Sequence, residues 1–125
     1  METGKTANFQ KRTFDHALRI VRLVESLPKT ETNRILGKQL LRSGTSVGAN
    51  SRAAKRSRSR AEFVSKMGIV EEEADESLFW IELLTAAGKV SAGKVDALLK
   101  ETNEILAITV SSIKTARLRK QASDS

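Results

Sequence analysis

The sequence predicts an all-α fold, an antiparallel up-down-up-down four-helix bundle. Apolar residues recur every three to four positions along four segments, and no stretch alternates with the period of a strand. The chain of 125 residues carries a single proline, at position 28, and seven glycines, which leaves room for long helices. Two of the segments also carry coiled-coil-like seams whose spacing matches across one tight turn.

The first helix is expected from Thr13 to Leu27, with Phe14, Ala17, Leu18, Val21 and Val24 on its apolar face. Pro28 ends it, because the residue before a proline is pushed out of the α region. Thr30 is placed to cap the second helix, which carries Ile35, Leu36, Leu40 and Val47. The third runs from about Arg60 to Ala87 and stops at Gly88. Ser91 is placed to cap the fourth, which carries Val95, Leu98, Leu99, Ile105, Leu106, Ile108, Val110 and Ile113. The polar ends, residues 1–10 and 119–125, read as flexible tails around a domain of residues 11–118.

The second and third helices are expected to form a hairpin. Leu36, Leu40, Ser43, Val47, Asn50 and Ala54 step alternately by four and three, as do Phe63, Met67, Val70, Ala74, Ser77 and Ile81. Paired in antiparallel order, Ala54 meets Phe63, Asn50 meets Met67, Val47 meets Val70, Ser43 meets Ala74, Leu40 meets Ser77 and Leu36 meets Ile81. One turn near Arg58 and Ser59 brings every pair into register. Ser59-Arg60-Ala61-Glu62 reads as a capping box that starts the third helix there.

This register puts Gly44 and Gly48 inside a helix, where each costs about 1 kcal/mol relative to alanine. Ser43, Thr45, Ser46, Ala49, Ser51, Ala53 and Ala54 are also small, so the stripe admits close approach of another helix. The alternative is a plain loop at Arg42–Ser46 between two shorter helices. Asn50 lies on the seam and is expected to bond across it. Arg42 flanks Ser43, and Asp75 stands opposite, so Arg42 is expected to pair with an acid of the EEEADE run, among Glu72, Asp75 and Glu76. The packing set is therefore Arg42, Ser43, Gly44, Gly48, Asn50 and Asp75.

Composition narrows the chemistry. There is no cysteine, which excludes a disulfide scaffold, a thiol nucleophile and a thiolate metal site. No run approaches the ~18 apolar residues that a membrane span needs, and the first sixteen residues lack the apolar core of a signal peptide. The default expectation is a cytoplasmic protein without a membrane. A bundle metal site wants Glu-x-x-His, but the single histidine, His16, has Thr13 three residues before it. No nucleophile–base set is visible, and Gly44-x-x-x-Gly48 lacks the Lys-Ser/Thr of a phosphate loop. The expectation is no enzyme, no metal and no cofactor.

The net charge of +7 and a pI near 10.1 suit a polyanionic partner. The charge concentrates at the hairpin turn: Arg52, Lys55, Arg56, Arg58 and Arg60 fall within ten residues that contain no acid. Lys11, Arg12, Arg117, Arg119 and Lys120 are candidate helpers. Aromatics are few and sit mostly in helix faces, which favours backbone contact over base reading. The other reading is a protein-interaction scaffold whose basic segment is a solvated tip.

The run LLRSGTSVGANSRAA, followed by RSRAEFVSKMGIVEEEADESLFWIELL, resembles the four-helix proteins typified by the 23S rRNA intervening-sequence proteins. The accessory protein of diversity-generating retroelements is similar, and RTFDHALRIVRLVESLP looks like the family's opening. The resemblance covers roughly residues 9 to 118. Where many members carry Asn-Ile-Ala-Glu-Gly, this chain has Asn50-Ser51-Arg52-Ala53-Ala54. The resemblance implies a homopentamer without enzyme activity and, on the retroelement side, a reverse transcriptase and its RNA as partners. From the residues themselves, Phe79, Trp80, Ile108 and Val110 are surplus to one bundle core and are expected at subunit contacts.

Overall fold

The computed structural model describes residues 8–124, with side chains as far as Arg119. These residues form four helices: α1 (Phe9–Ser26), α2 (Glu31–Lys55), α3 (Arg60–Ala86) and α4 (Ala92–Asp124). The tail boundaries shift accordingly. Phe9 and Gln10 belong to α1, and Phe9 is buried; α4 continues through the expected C-terminal tail to Asp124. Residues 1–7 and 125 lie outside the described residues.

Each helix starts and stops where local chemistry asks it to. α1 ends before Pro28, and Thr30 Oγ1 accepts from the Asn33 amide at 3.1 Å to open α2. Ser59 Oγ likewise accepts from the Glu62 amide at 3.0 Å. The reciprocal half of the capping box is not made: the Glu62 side chain is exposed and stands free of the Ser59 amide. Gly88, at φ 74°, closes α3 with Gly88 N–H on Thr85 O and Lys89 N–H on Leu84 O, the paired bonds of a Schellman motif. Ser91 directly precedes α4.

Neighbouring helices run antiparallel. Gln10 Nε2 donates to Ser51 O at 3.1 Å at one end of α1, while Val24 packs against Gly37 at the other. Between α1 and α4, Lys94 reaches Ser26, His16 meets Thr102, and Arg12 meets Glu101 and Glu104. In the α2–α3 hairpin the expected level of Arg42 is that of Asp75, and its actual partners, Glu73 and Glu76, flank that position. Of the three acids expected there, Glu76 pairs with Arg42 and Asp75 is exposed; Glu73, outside the expected three, is the second partner. Ser77 Oγ donates to Ser43 Oγ at 3.0 Å in the fully buried seam.

The core has two centres. Phe9, Val47, Ala54, Met67, Val70, Ala74, Ile105, Ile108 and Ile113 pack at the end that holds the α2–α3 turn. Ile20, Leu23, Leu27, Leu40, Ile81, Leu84, Val90, Val95 and Leu98 pack at the other. Burying one such large side chain is worth roughly 1.5–3 kcal/mol. Ile108 is therefore a core residue of its own subunit, which corrects its expected place at a subunit contact: its side chain is buried in the centre that holds Phe9, Val47 and Met67.

The buried face of α1 also differs from the expected one. Phe9, Thr13, His16, Ile20, Leu23 and Leu27 point inward, in steps of four and three. Two of these are polar, so a search for apolar period finds the neighbouring stripe instead. In that stripe Ala17, Val21 and Val24 are half-buried, while Phe14 and Leu18 are exposed.

α2 is continuous through both glycines, which excludes the loop reading. A Cβ on Gly44 would lie 2.7 Å from Ile20 Cγ1 and Cγ2, and one on Gly48 would lie 3.1 Å from Thr13 O. The small stripe thus seats α1. Asn50 does not bond across the seam; it is half-buried, and its Nδ2 donates to Ser46 O in its own helix at 3.0 Å. The deeper position beside it belongs to Ser51, which receives Gln10.

Candidate nucleic-acid interface

Arg52, Lys55, Arg56, Arg58 and Arg60 are all exposed and surround the α2–α3 turn. Among the described residues none of the five takes part in an ion pair, whereas Lys11, Arg12, Arg34, Arg42 and Lys100 each have a carboxylate partner. Part of this charge has a local use. Arg52 and Lys55 occupy the last turn of α2, where cations complement the helix dipole by about 0.3–1 kcal/mol. Arg58 and Arg60 have no such use. They stand at the start of α3, where the dipole is positive and a cation is disfavoured, and only Glu62 in the first turn has the favourable sign. Local helix energetics therefore leave these two arginines unexplained.

The helpers divide. Arg12 is committed to the fold: its guanidinium holds Glu101 at 2.5 Å and Glu104 at 3.2 Å, which raises its pKa further above its ordinary value, the hydrogen bond to Glu101 contributing most. Lys11 pairs with Asp15 on its own helix. Arg117 and Lys114 are exposed on α4 at the same end of the bundle as the turn, beside Val110 and Leu118. The side chain of Lys120 lies outside the described residues.

The antiparallel order brings Phe14 to this region, although its side chain is not in the expected buried face. Phe14 is 58% exposed, and it lines a shallow groove between α1 and α2 with Ala17, Thr45, Gly48, Ala49 and Arg52. The signal that locates it is the four-and-three spacing of Phe9, Thr13, His16 and Ile20, which leaves Phe14 outside the core.

On the other side of the hairpin, Phe79 is 55% exposed and meets Trp80 edge-to-face at 4.9 Å. Trp80 Nε1 donates to Glu76, which also receives Arg42. Val110 is exposed as well. Among the described residues, no group of three acidic, His or Cys side chains is placed to hold a metal ion, and no helix is long and apolar enough to cross a membrane.

The model of the 23S rRNA-intervening sequence protein family matches residues 5–111. The chain belongs to that family. It is also similar to a crystal structure of a protein with unknown function from the S23 ribosomal protein family of Bacteroides thetaiotaomicron, at 35% identity and a TM-score of 0.80, covering 85% of this chain and 98% of that one. No curated protein matches the chain. This intervening-sequence family member thus shares its four-helix architecture with a solved relative over nearly all of the bundle.

Proposed function

We propose that the protein is a non-catalytic, oligomeric bundle of the cytoplasm that binds RNA or DNA through its basic α2–α3 turn. The observation that carries this reading is the group of five exposed, unpaired cations, two of which sit where the α3 dipole opposes them. In a ring of identical subunits, equivalent turns face the same way, and weak phosphate contacts add through avidity. Each phosphate neutralised releases counterions and adds about −0.9 to the log–log salt slope on duplex DNA. Replacing Lys55, Arg56 and Arg58 together with glutamine is expected to weaken binding and flatten that slope, read by fluorescence anisotropy across a salt series, while the thermal midpoint falls by no more than the few degrees that loss of the Lys55 charge at the α2 C-terminus costs. Wild-type protein that binds neither nucleic acid at low salt overturns the reading.

The scaffold alternative draws on the exposed Phe79 and Val110, together with Ile35 and Leu83, which are large apolar side chains outside the core. Such surface fits a homo-oligomer, with a pentamer as the state the family resemblance implies. Light scattering is expected to give a mass several times the 13.7 kDa of one chain. Phe79→Glu with Val110→Glu is expected to lower that mass toward the monomer; a wild-type monomer at micromolar concentration excludes the assembly.

A further inference from the structure

The groove between α1 and α2 lies beside the basic turn and has a different chemistry. One wall is the Phe14 ring, which belongs to neither core centre and packs against no other ring. Apart from Arg52, the other lining residues, Ala17, Thr45, Gly48 and Ala49, are all small, so no second bulky apolar side chain lines the groove beside the ring. Arg52 closes one end, exposed and without a carboxylate partner, and leads on to Lys55 and Arg56.

An exposed aromatic face, a small-residue lining and a free guanidinium together match the two halves of a nucleotide. We propose that this groove holds an unpaired nucleotide of a single strand, its base against Phe14 and its phosphate on Arg52. The proposal rests on the basic-turn reading and sharpens it. The turn alone offers only charge and would accept duplex and single strand alike, because phosphate contact carries no sequence or base-face information. A base inside a duplex presents no free face to Phe14, whereas every unpaired base does. Charge favours this occupant: the exposed cation at the groove end suits a phosphate.

The test compares a short oligo(dT), a short oligo(U) and a duplex of equal length, each fluorescein-labelled, at matched salt. Wild type is expected to bind single strands more tightly than duplex. Phe14→Ala and Phe14→Leu are expected to lose about 5- to 100-fold on single strands, the range of base–aromatic stacking, with little change on duplex. Phe14→Tyr should retain the affinity, since a ring and not mere bulk is required. The salt slope of the Phe14 variants should stay at the wild-type value, while Arg52→Gln should reduce it by about 0.7 on single strands. Loss on one of the two single strands alone supports the site and shows which strand it prefers, through the 2′-hydroxyl or the thymine methyl in which the two differ. Unchanged single-strand affinity in Phe14→Ala, with wild-type binding intact, overturns the groove and leaves the basic turn standing. A fall in oligomer mass in Phe14→Ala by light scattering overturns it as well, because the ring is then a subunit contact. Absence of any wild-type binding at low salt defeats both readings together.

Discussion

Gly44→Leu is expected to lower the thermal midpoint by about 10 °C, the equivalent of ~3 kcal/mol in a domain of this size. The reason is specific to one contact. Ile20 Cγ1 and Cγ2 lie 2.7 Å from where even a Cβ would stand, and Ile20 is fully buried. Its β-branched side chain has one strongly preferred helical rotamer, so it cannot swing aside. Gly44→Ala is therefore informative beside it. Alanine gains about 1 kcal/mol of helix propensity, yet its methyl meets Ile20, and the balance should be destabilising. Gly68 in α3 is the control: a Cβ there has nothing within 4 Å, so Gly68→Ala should raise the midpoint. Opposite signs for the two alanine variants in thermal melts are the expected result. A Gly44→Leu melt equal to wild type would show that α1 does not pack on this stripe.

Acid should loosen the bundle through His16. Thr102 Oγ1 donates to Leu98 O at 2.8 Å, so its oxygen accepts from His16 Nε2–H, also at 2.8 Å. Nδ1 is buried and has no hydrogen-bond partner among the described residues, so the site suits the neutral ring with its proton on Nε2. Protonation would add a charge and an unpaired donor at Nδ1. Burial pushes the pKa from the ordinary 6.5 down to about 4; Glu101 opposes that fall and Arg19 adds to it. The unfolded chain then binds the proton first. Stability from this residue is complete above pH 6.5 and is lost as the pH falls toward 4, for a total of ~3 kcal/mol at about 1.4 kcal/mol per pH unit. Urea titrations of wild type and His16→Gln across that window check it. The wild type should lose stability more steeply with falling pH, whatever the variant's stability at neutral pH. Parallel profiles for the two proteins would remove His16 as the cause.

The hairpin of α2 and α3 is legible in sequence because its information is local. Two matched seams, a Ser59 cap and a short turn all specify the same pairing of two helices adjacent in sequence, and the level of Arg42 falls between its two actual partners as the register requires. The basic turn is legible for the same reason: five cations close in sequence stay close in space. Phe14 is not, because its exposure depends on which face α1 turns inward. That choice is made by Thr13 and His16, whose polarity hides them from an apolar search. Thr13 Oγ1 bonds to Gln10 O and His16 to Thr102, so both are accepted in the core. Ile108 is misread for the complementary reason: an apolar residue beyond one helical stripe looks surplus until the core around it is assembled.

Helix order, the internal helix limits and the α2–α3 register follow from the amino-acid sequence, since propensity, capping and seam spacing act within a few turns; the outer ends of α1 and α4 do not. Tertiary packing decided the rest. Gly44 and Gly48 take α1 and not α3, Asn50 bonds within its own helix while Ser51 receives Gln10 of α1, and Arg42 takes Glu73 beside the expected Glu76. Each of these outcomes turns on a rotation of roughly one residue, about 100° around a helix axis. Local spacing tolerates that rotation; close packing of side chains from a second helix does not.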